Sequence, residues 1–185
     1  MIDEILQNGK SKMEEVIAAT KKTFAGVRTG RANPALLDRV IVSYYGTPTP
    51  LNQMASVSTP EPRLLMITPW DKNAIKDVEK AILTSDLGLV PNNDGNVIRI
   101  SIPQLTEERR KELVRIVRQD AEDHRVSIRN IRRELNESLK TLEKNGDISE
   151  DVYHRTFAEV QKLTDSFVQN VDQLLEAKEK EILEI

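Results

Sequence analysis

The chain contains no cysteine. Disulfides are therefore excluded, and thiolate metal sites with them. Aromatic residues make up only 4% of the sequence, against 31% charged and 38% hydrophobic residues, a profile that suits long amphipathic helices better than a compact aromatic-rich core. There is no excess of positive charge. The formal net charge is −3, so the whole molecule does not attract nucleic acid, and any such binding must come from a local patch. No apolar run approaches the ~18 residues needed to span a membrane. The opening MIDEILQNGK is acidic and amphipathic, without the basic start and apolar stretch of a signal peptide. A soluble, cytoplasmic protein is expected. Its 185 residues suffice for one large domain or two small ones.

One segment does carry concentrated charge. It runs from Leu105 to Leu142 as LTEERRKELVRIVRQDAEDHRVSIRNIRRELNESLKTL. Leu113, Val117, Ala121, Ile128, Ile131, Leu135, Leu139 and Leu142 recur at steps of three or four, apart from one longer step across His124. That is the stripe of a long amphipathic helix. With Ile128 at zero and ~100° per residue, Arg132, Arg125, Arg118 and Arg129 fall at about 40° to 100°, and Arg133 at about 140°. Glu137, Glu112, Asp123, Glu134 and Asp120 fall between about 180° and 280°, and only Glu122 sits among the arginines. A charge-rich helix ordinarily presents a solvated face stitched by weak ion pairs. Here the signs are segregated and the cations are almost all Arg, whose planar fork grips phosphate and is less costly to desolvate than an ammonium. The pattern points to a phosphate-facing ridge.

The rest of the chain frames that helix. Residues 2 to 28 read as a helix with Ile2, Leu6, Met13, Val16, Ile17, Thr20, Phe24 and Val27 on one face. It should stop at Thr29-Gly30, with Asn33-Pro34 opposing its resumption. From about 35 to 103, prolines interrupt short β-rich runs at 39–45, 54–58, 64–68 and 97–102. A helix is expected over 71–85, and Asn92-Asn93-Asp94-Gly95 is a turn. After the arginine helix, Asn145-Gly146-Asp147 breaks the pattern and Ser149 caps a last helix. Its seam is Tyr153, Phe157, Val160, Thr164, Phe167, Val171 and Leu174. None of three long helices can bury its stripe alone, so they should close one bundle. The reading is an α+β, two-domain protein: a discontinuous three-helix bundle (1–29 and 105–185) with a small inserted mixed α/β domain (30–104). The two connections, Thr29-Gly30-Arg31 and Pro103-Gln104-Leu105, make a natural hinge.

Enzyme signatures fail. Gly9-Lys10-Ser11 imitates the end of a phosphate loop but lacks the earlier Gly, where Glu4 stands, and a preceding strand. His124 lies on the apolar side of its helix as a packing residue, and His154 has no ligand partner at suitable spacing. Asn93-Asp94-Gly95 lacks the rest of a calcium loop. Asn136-Glu137-Ser138 matches a glycosylation acceptor but sits mid-helix. Trp70 reads as a core or edge residue. No metal site and no acid–base pair stands out.

Six blocks carry a family resemblance: RTGRANP (28–34), YYGTPTP (44–50), SDLG (85–88), LTEERRK (105–111), IRNIRR (128–133) and VQKLTD (160–165). In order and spacing the chain resembles ribosome recycling factors over essentially its full length. It departs at Gln104, where many members carry a second Pro. The resemblance implies an L-shaped molecule, similar in outline to tRNA, whose bundle binds ribosomal RNA between the subunits. It implies action on the post-termination ribosome with elongation factor G and GTP, splitting it into subunits and releasing mRNA and deacylated tRNA. No covalent chemistry and no cofactor of its own are implied, GTP being used by the partner. The RNA contacts carry over to Arg110, Arg129, Arg132 and Arg133. The wheel groups the last two with Arg129 and adds Arg118 and Arg125, whereas Arg110 rests on the resemblance. The small domain is the implied contact for elongation factor G. A monomer is expected, since three helices satisfy their own seams. The alternative is a coiled-coil adaptor with an α/β docking head, which predicts tolerance of Arg129 and Arg132 replacement. An enzyme working on the insert's surface is the remotest reading.

Overall fold

The computed structural model describes residues 1–184. Its helices are α1 (Ile2–Ala25), α2 (Ile75–Thr84), α3 (Glu107–Lys144) and α4 (Glu150–Leu183). Its strands are β1 (Ile41–Tyr44), β2 (Thr47–Pro50), β3 (Ala55–Glu61), β4 (Leu64–Pro69), β5 (Pro91–Asn93) and β6 (Ile98–Ser101). They form two compact units, Met1–Arg28 with Glu107–Glu184, and Thr29–Thr106. The α+β, two-part architecture expected from the sequence is present.

In the helical unit, α3 buries Leu113, Val117, Ala121, Ile128, Leu135 and Leu139, six of the eight stripe residues. The long step across His124 has a physical reason. Thr20 of α1 is fully buried, donates its hydroxyl to the Val16 carbonyl (2.8 Å), and lies 2.7 Å from His124 Nδ1. A hydroxyl has one proton, so the ring Nδ1–H must donate to Thr20 Oγ1. The imidazole thus fills the gap in the stripe with its polarity satisfied. Buried Thr156 and Thr164 of α4 likewise donate to the carbonyls one turn back, which lets hydroxyls occupy a seam.

Three sequence expectations for the helices need correction. Helix α1 ends at Ala25, before Thr29, and Gly26 caps it in a right-handed conformation. Gly30 does have φ +80°, but in the connecting segment rather than at the cap. The α4 seam runs through Thr156, Val160, Thr164, Phe167, Val171, Lys178 and Ile182. Phe157 stands at its flank, 41% exposed, because Thr156 can be buried once its hydroxyl is bonded.

The small unit pairs β1 with β2, and arranges a four-stranded antiparallel sheet in the order β3-β4-β6-β5. Val42, Leu51, Leu65, Ile67, Val78, Ile82, Ile98 and Ile100 form its core. The helix expected over 71–85 is split. A 3-10 turn over Lys72–Ala74, capped by the Asp71 carboxylate, leads into α2. Trp70 belongs to no core and is 68% exposed. The strand alternation explains it: Leu65, Ile67 and Pro69 of β4 are buried, so the next residue in phase points outward.

The 92–95 turn is closed by its own side chains. Asp94 Oδ1 accepts from the Asn96 and Val97 amides, both at 2.9 Å, and Oδ2 pairs with Arg99. These bonds, the backbone ones first, lower its pKa to about 2. Unfolded, such a carboxyl titrates near ~3.9. A depressed folded pKa adds stability that is complete above the unfolded value and lost as pH falls towards the folded one. Urea unfolding of Asp94→Asn should therefore show a shallower loss of stability between about pH 4 and pH 2 than the wild type. Equal slopes would remove this role.

Candidate nucleic-acid interface

The predicted cations all lie on α3, and α4 decides their state. Two of them are matched by carboxylates across the helix pair. Arg118 pairs with Glu179, a bond that raises its pKa. Arg125 reaches Asp172 at 2.7 Å and Glu122 at 3.0 Å, with only 18% of its side chain exposed. Burial would lower the pKa of its guanidinium, but the two carboxylates outweigh that and raise it. These two arginines therefore join α3 to α4.

Towards the 150s end of α4 the partners change. Arg129 reaches Glu122 at 3.4 Å, sharing that carboxylate with Arg125. Arg132 meets the neutral Gln161 amide at 3.5 Å, and Arg133 meets Asn130 at 3.4 Å. Arg125 and Arg129 thus have Glu122 and Asp172 between them, whereas Arg132 and Arg133 have only amide partners among the described residues, so net positive charge accumulates at that end. Arg110, near the start of α3, is half-buried and its Nε has no hydrogen-bond partner among the described residues. Such a donor is costly unless something supplies an acceptor.

The opposite face of α3 turns towards other partners. Glu134 takes Lys12 of α1 at 3.2 Å, and Glu112 takes Arg109 at 3.0 Å. Sequence reasoning found the ridge but missed Glu179, Asp172 and Gln161. The flank of α4 carried the only signal, and it is readable only once the helices are in antiparallel register.

The predicted hinge residues occupy both ends of the small unit. Thr29 is buried, and Gly30 takes a left-handed conformation. Just inside them, the Ala32 amide donates to Pro62 O (2.7 Å) and the Ile102 amide to Arg63 O (2.8 Å). The β3–β4 turn thus holds both chain passages, and Pro103 and Gln104 beyond it are exposed. With Glu61, Pro62 and Arg63 they line a cleft of about 490 Å³. No cluster of three or more metal-ligating side chains exists among the described residues. Among the described residues, no helix is long and apolar enough to cross a membrane.

The chain is similar to known proteins over its full length. Residues 20–183 match the family profile described as ribosome recycling factor. The ribosome-recycling factors of Halothermothrix orenii and Bacillus subtilis are each 57% identical over 185 residues, covering all of both chains. That of Carboxydothermus hydrogenoformans is 58% identical over the same span. A solution structure of a ribosome recycling factor superposes with TM-score 0.77 at 41% identity, covering 100% of this chain and 98% of that one. A second structure, with TM-score 0.66 at 53% identity and 99% coverage of both chains, belongs to the T. thermophilus ribosome recycling factor, described with E. coli elongation factor G bound to the E. coli post-termination complex. With a long helix carrying a segregated arginine ridge, an antiparallel insert and full-length identity above half, the chain belongs to the ribosome recycling factor family.

Proposed function

We propose that this protein binds ribosomal RNA in the post-termination ribosome through the helical unit and, with elongation factor G and GTP, splits that ribosome into subunits. The observation that carries the reading is the uneven pairing along α3. Arg118 and Arg125 are matched by α4 carboxylates, while Arg129, Arg132 and Arg133 share a single carboxylate and two amides. A patch so poorly neutralised on an acidic protein favours a polyanion locally. Arg110 adds a further donor in need of an acceptor. The relative described with elongation factor G on a post-termination complex supports the same partners.

The work is mechanical, and this chain makes or breaks no covalent bond. GTP belongs to the partner, so no cofactor is held here. The small unit receives elongation factor G and turns about Thr29, Gly30 and Arg31 on one strand and Pro103, Gln104 and Leu105 on the other. The bonds from Ala32 and Ile102 to the β3–β4 turn keep the passages rigid inside those points, so rotation concentrates outside them. The protein acts in the cytoplasm as a monomer.

Light scattering of purified post-termination ribosomes with the protein, elongation factor G and GTP tests this directly. Scattering should fall with the wild type and fall more slowly with Arg132→Ala. Arg118→Ala should leave splitting nearly unchanged, since that cation is already matched. Splitting by both wild type and Arg132→Ala would keep the function and remove Arg132 from it. Splitting by neither, with an active partner, would point to the adaptor reading.

A further inference from the structure

The contacts across α3 and α4 form a ladder, and its character changes along the bundle. The rungs run Arg118–Glu179, Arg125–Asp172 and Arg132–Gln161. Two turns further along α3 from Arg132 stands Lys140, whose Nζ lies 5.0 Å above the Tyr153 ring of α4. One turn separates Arg132 from Asn136 and Asn136 from Lys140, as one turn separates Gln161 from Phe157 and Phe157 from Tyr153. The antiparallel register therefore sets Asn136 opposite Phe157. On the last three rungs α4 offers no carboxylate.

Asn136 is anomalous by the ordinary rules of packing, and Phe157 beside it stands outside the seam. The Asn136 Oδ1 is buried with no hydrogen-bond partner among the described residues, an acceptor without its donor. Phe157 leaves 41% of its surface exposed, because Thr156 holds the neighbouring seam position. It is held against Tyr153, with ring centroids 6.0 Å apart. An exposed ring, an unfilled acceptor and flanking cations at Arg132 and at Lys140, the latter also 3.3 Å from Glu143 of its own helix, are the elements of a single-stranded nucleic-acid site. The ring stacks a base, the amide reads its edge, and the cations take the backbone phosphates.

We infer that the Asn136–Phe157 rung holds one unpaired nucleobase of the ribosomal RNA bound by the arginine ridge, stacked on Phe157, with the Asn136 amide, whose Oδ1 is occluded in the free protein, turning outward to accept an N–H from the base. The inference rests on the RNA-binding reading above and adds a base contact to its phosphate contacts. A protein ligand fits less well, because the site sets an exposed ring beside an amide between two cations.

The test uses the full chain, purified large ribosomal subunits as the probe, and two readouts: affinity across a salt series, and chemical reactivity of the RNA bases. Phe157→Leu, which keeps the apolar volume and loses the ring, should weaken binding by about five- to 150-fold with the salt slope unchanged. Phe157→Tyr should bind as the wild type, which guards against a folding defect. At least one base protected by the wild type and by Phe157→Tyr should become reactive with Phe157→Leu and with Asn136→Leu. Arg132→Ala should weaken binding and also lower the salt slope by about one. Wild-type affinity and protection in both Phe157→Leu and Asn136→Leu, beside a weakened Arg132→Ala, would overturn the base site and leave the ridge intact. Lost affinity in Phe157→Leu with unchanged base reactivity would assign the ring to a ribosomal protein and equally overturn it. An unweakened Arg132→Ala as well would remove the RNA-binding reading itself.

Discussion

Ile67→Ala is expected to destabilise the small unit by about 2–5 kcal/mol while leaving the helical unit folded. Ile67 is fully buried in β4, opposite Val57 of β3 and Ile98 of β6. Removing its branched side chain forfeits the transfer energy and opens a cavity at the sheet centre. A unit of roughly 80 residues holds only a few kcal/mol in reserve, so much of that reserve would vanish. The helical unit has its own core, built from Met13, Val117, Ile128, Leu139, Val160 and Val171, and none of these touches the cavity site in sequence or unit. Native-state hydrogen exchange separates the cases. Amides of β4 and β6 should lose protection while those of α3 and α4 keep theirs. A parallel loss in both would mean that the units unfold as one.

Gly9→Leu should destabilise the helical unit by about 1–3 kcal/mol. A glycine inside a helix costs about 1 kcal/mol relative to alanine, so its presence in α1 calls for a reason. A Cβ at this position would stand 2.5 Å from Leu135 Cδ1 and 3.0 Å from its Cγ. The two helices approach across this glycine, and a leucine must push Leu135 from a position already 93% covered, given its 7% exposure. The same collision gives the control. In a Leu135→Ala background the penalty of Gly9→Leu should shrink markedly, as coupled neighbours do in a double-mutant cycle. Thermal unfolding reads both, and additive effects would break the proposed contact.

The bundle was legible because period and burial coincide. Leu113 to Leu139 of α3 announce their face by spacing alone, and Ser149 announces the start of α4. The small unit was harder. β2 reads TPTP and β5 reads PNN, and proline opposes a strand assignment. Both strands lie at sheet margins, where a missing amide does no harm. Phe157 was misplaced by one position because a phenylalanine outranks a threonine in any hydrophobic count, and only the bond from Thr156 to Val152 reverses the order. The five ridge arginines look alike in sequence. What distinguishes Arg118 and Arg125 from Arg132 is the α4 residue opposite each, dozens of positions away, and no local pattern carries that.

The discontinuity of the helical unit also sets an order of events during synthesis. Helix α1 is made first, but its partners begin only at Glu107. At ~5–20 residues per second, the intervening stretch takes about 4–16 s to emerge. Through that interval α1 has nothing to cover Met13 and Phe24, while the small unit can finish its own sheet. The nascent chain therefore completes its insert before its frame, and the last helix made closes the first.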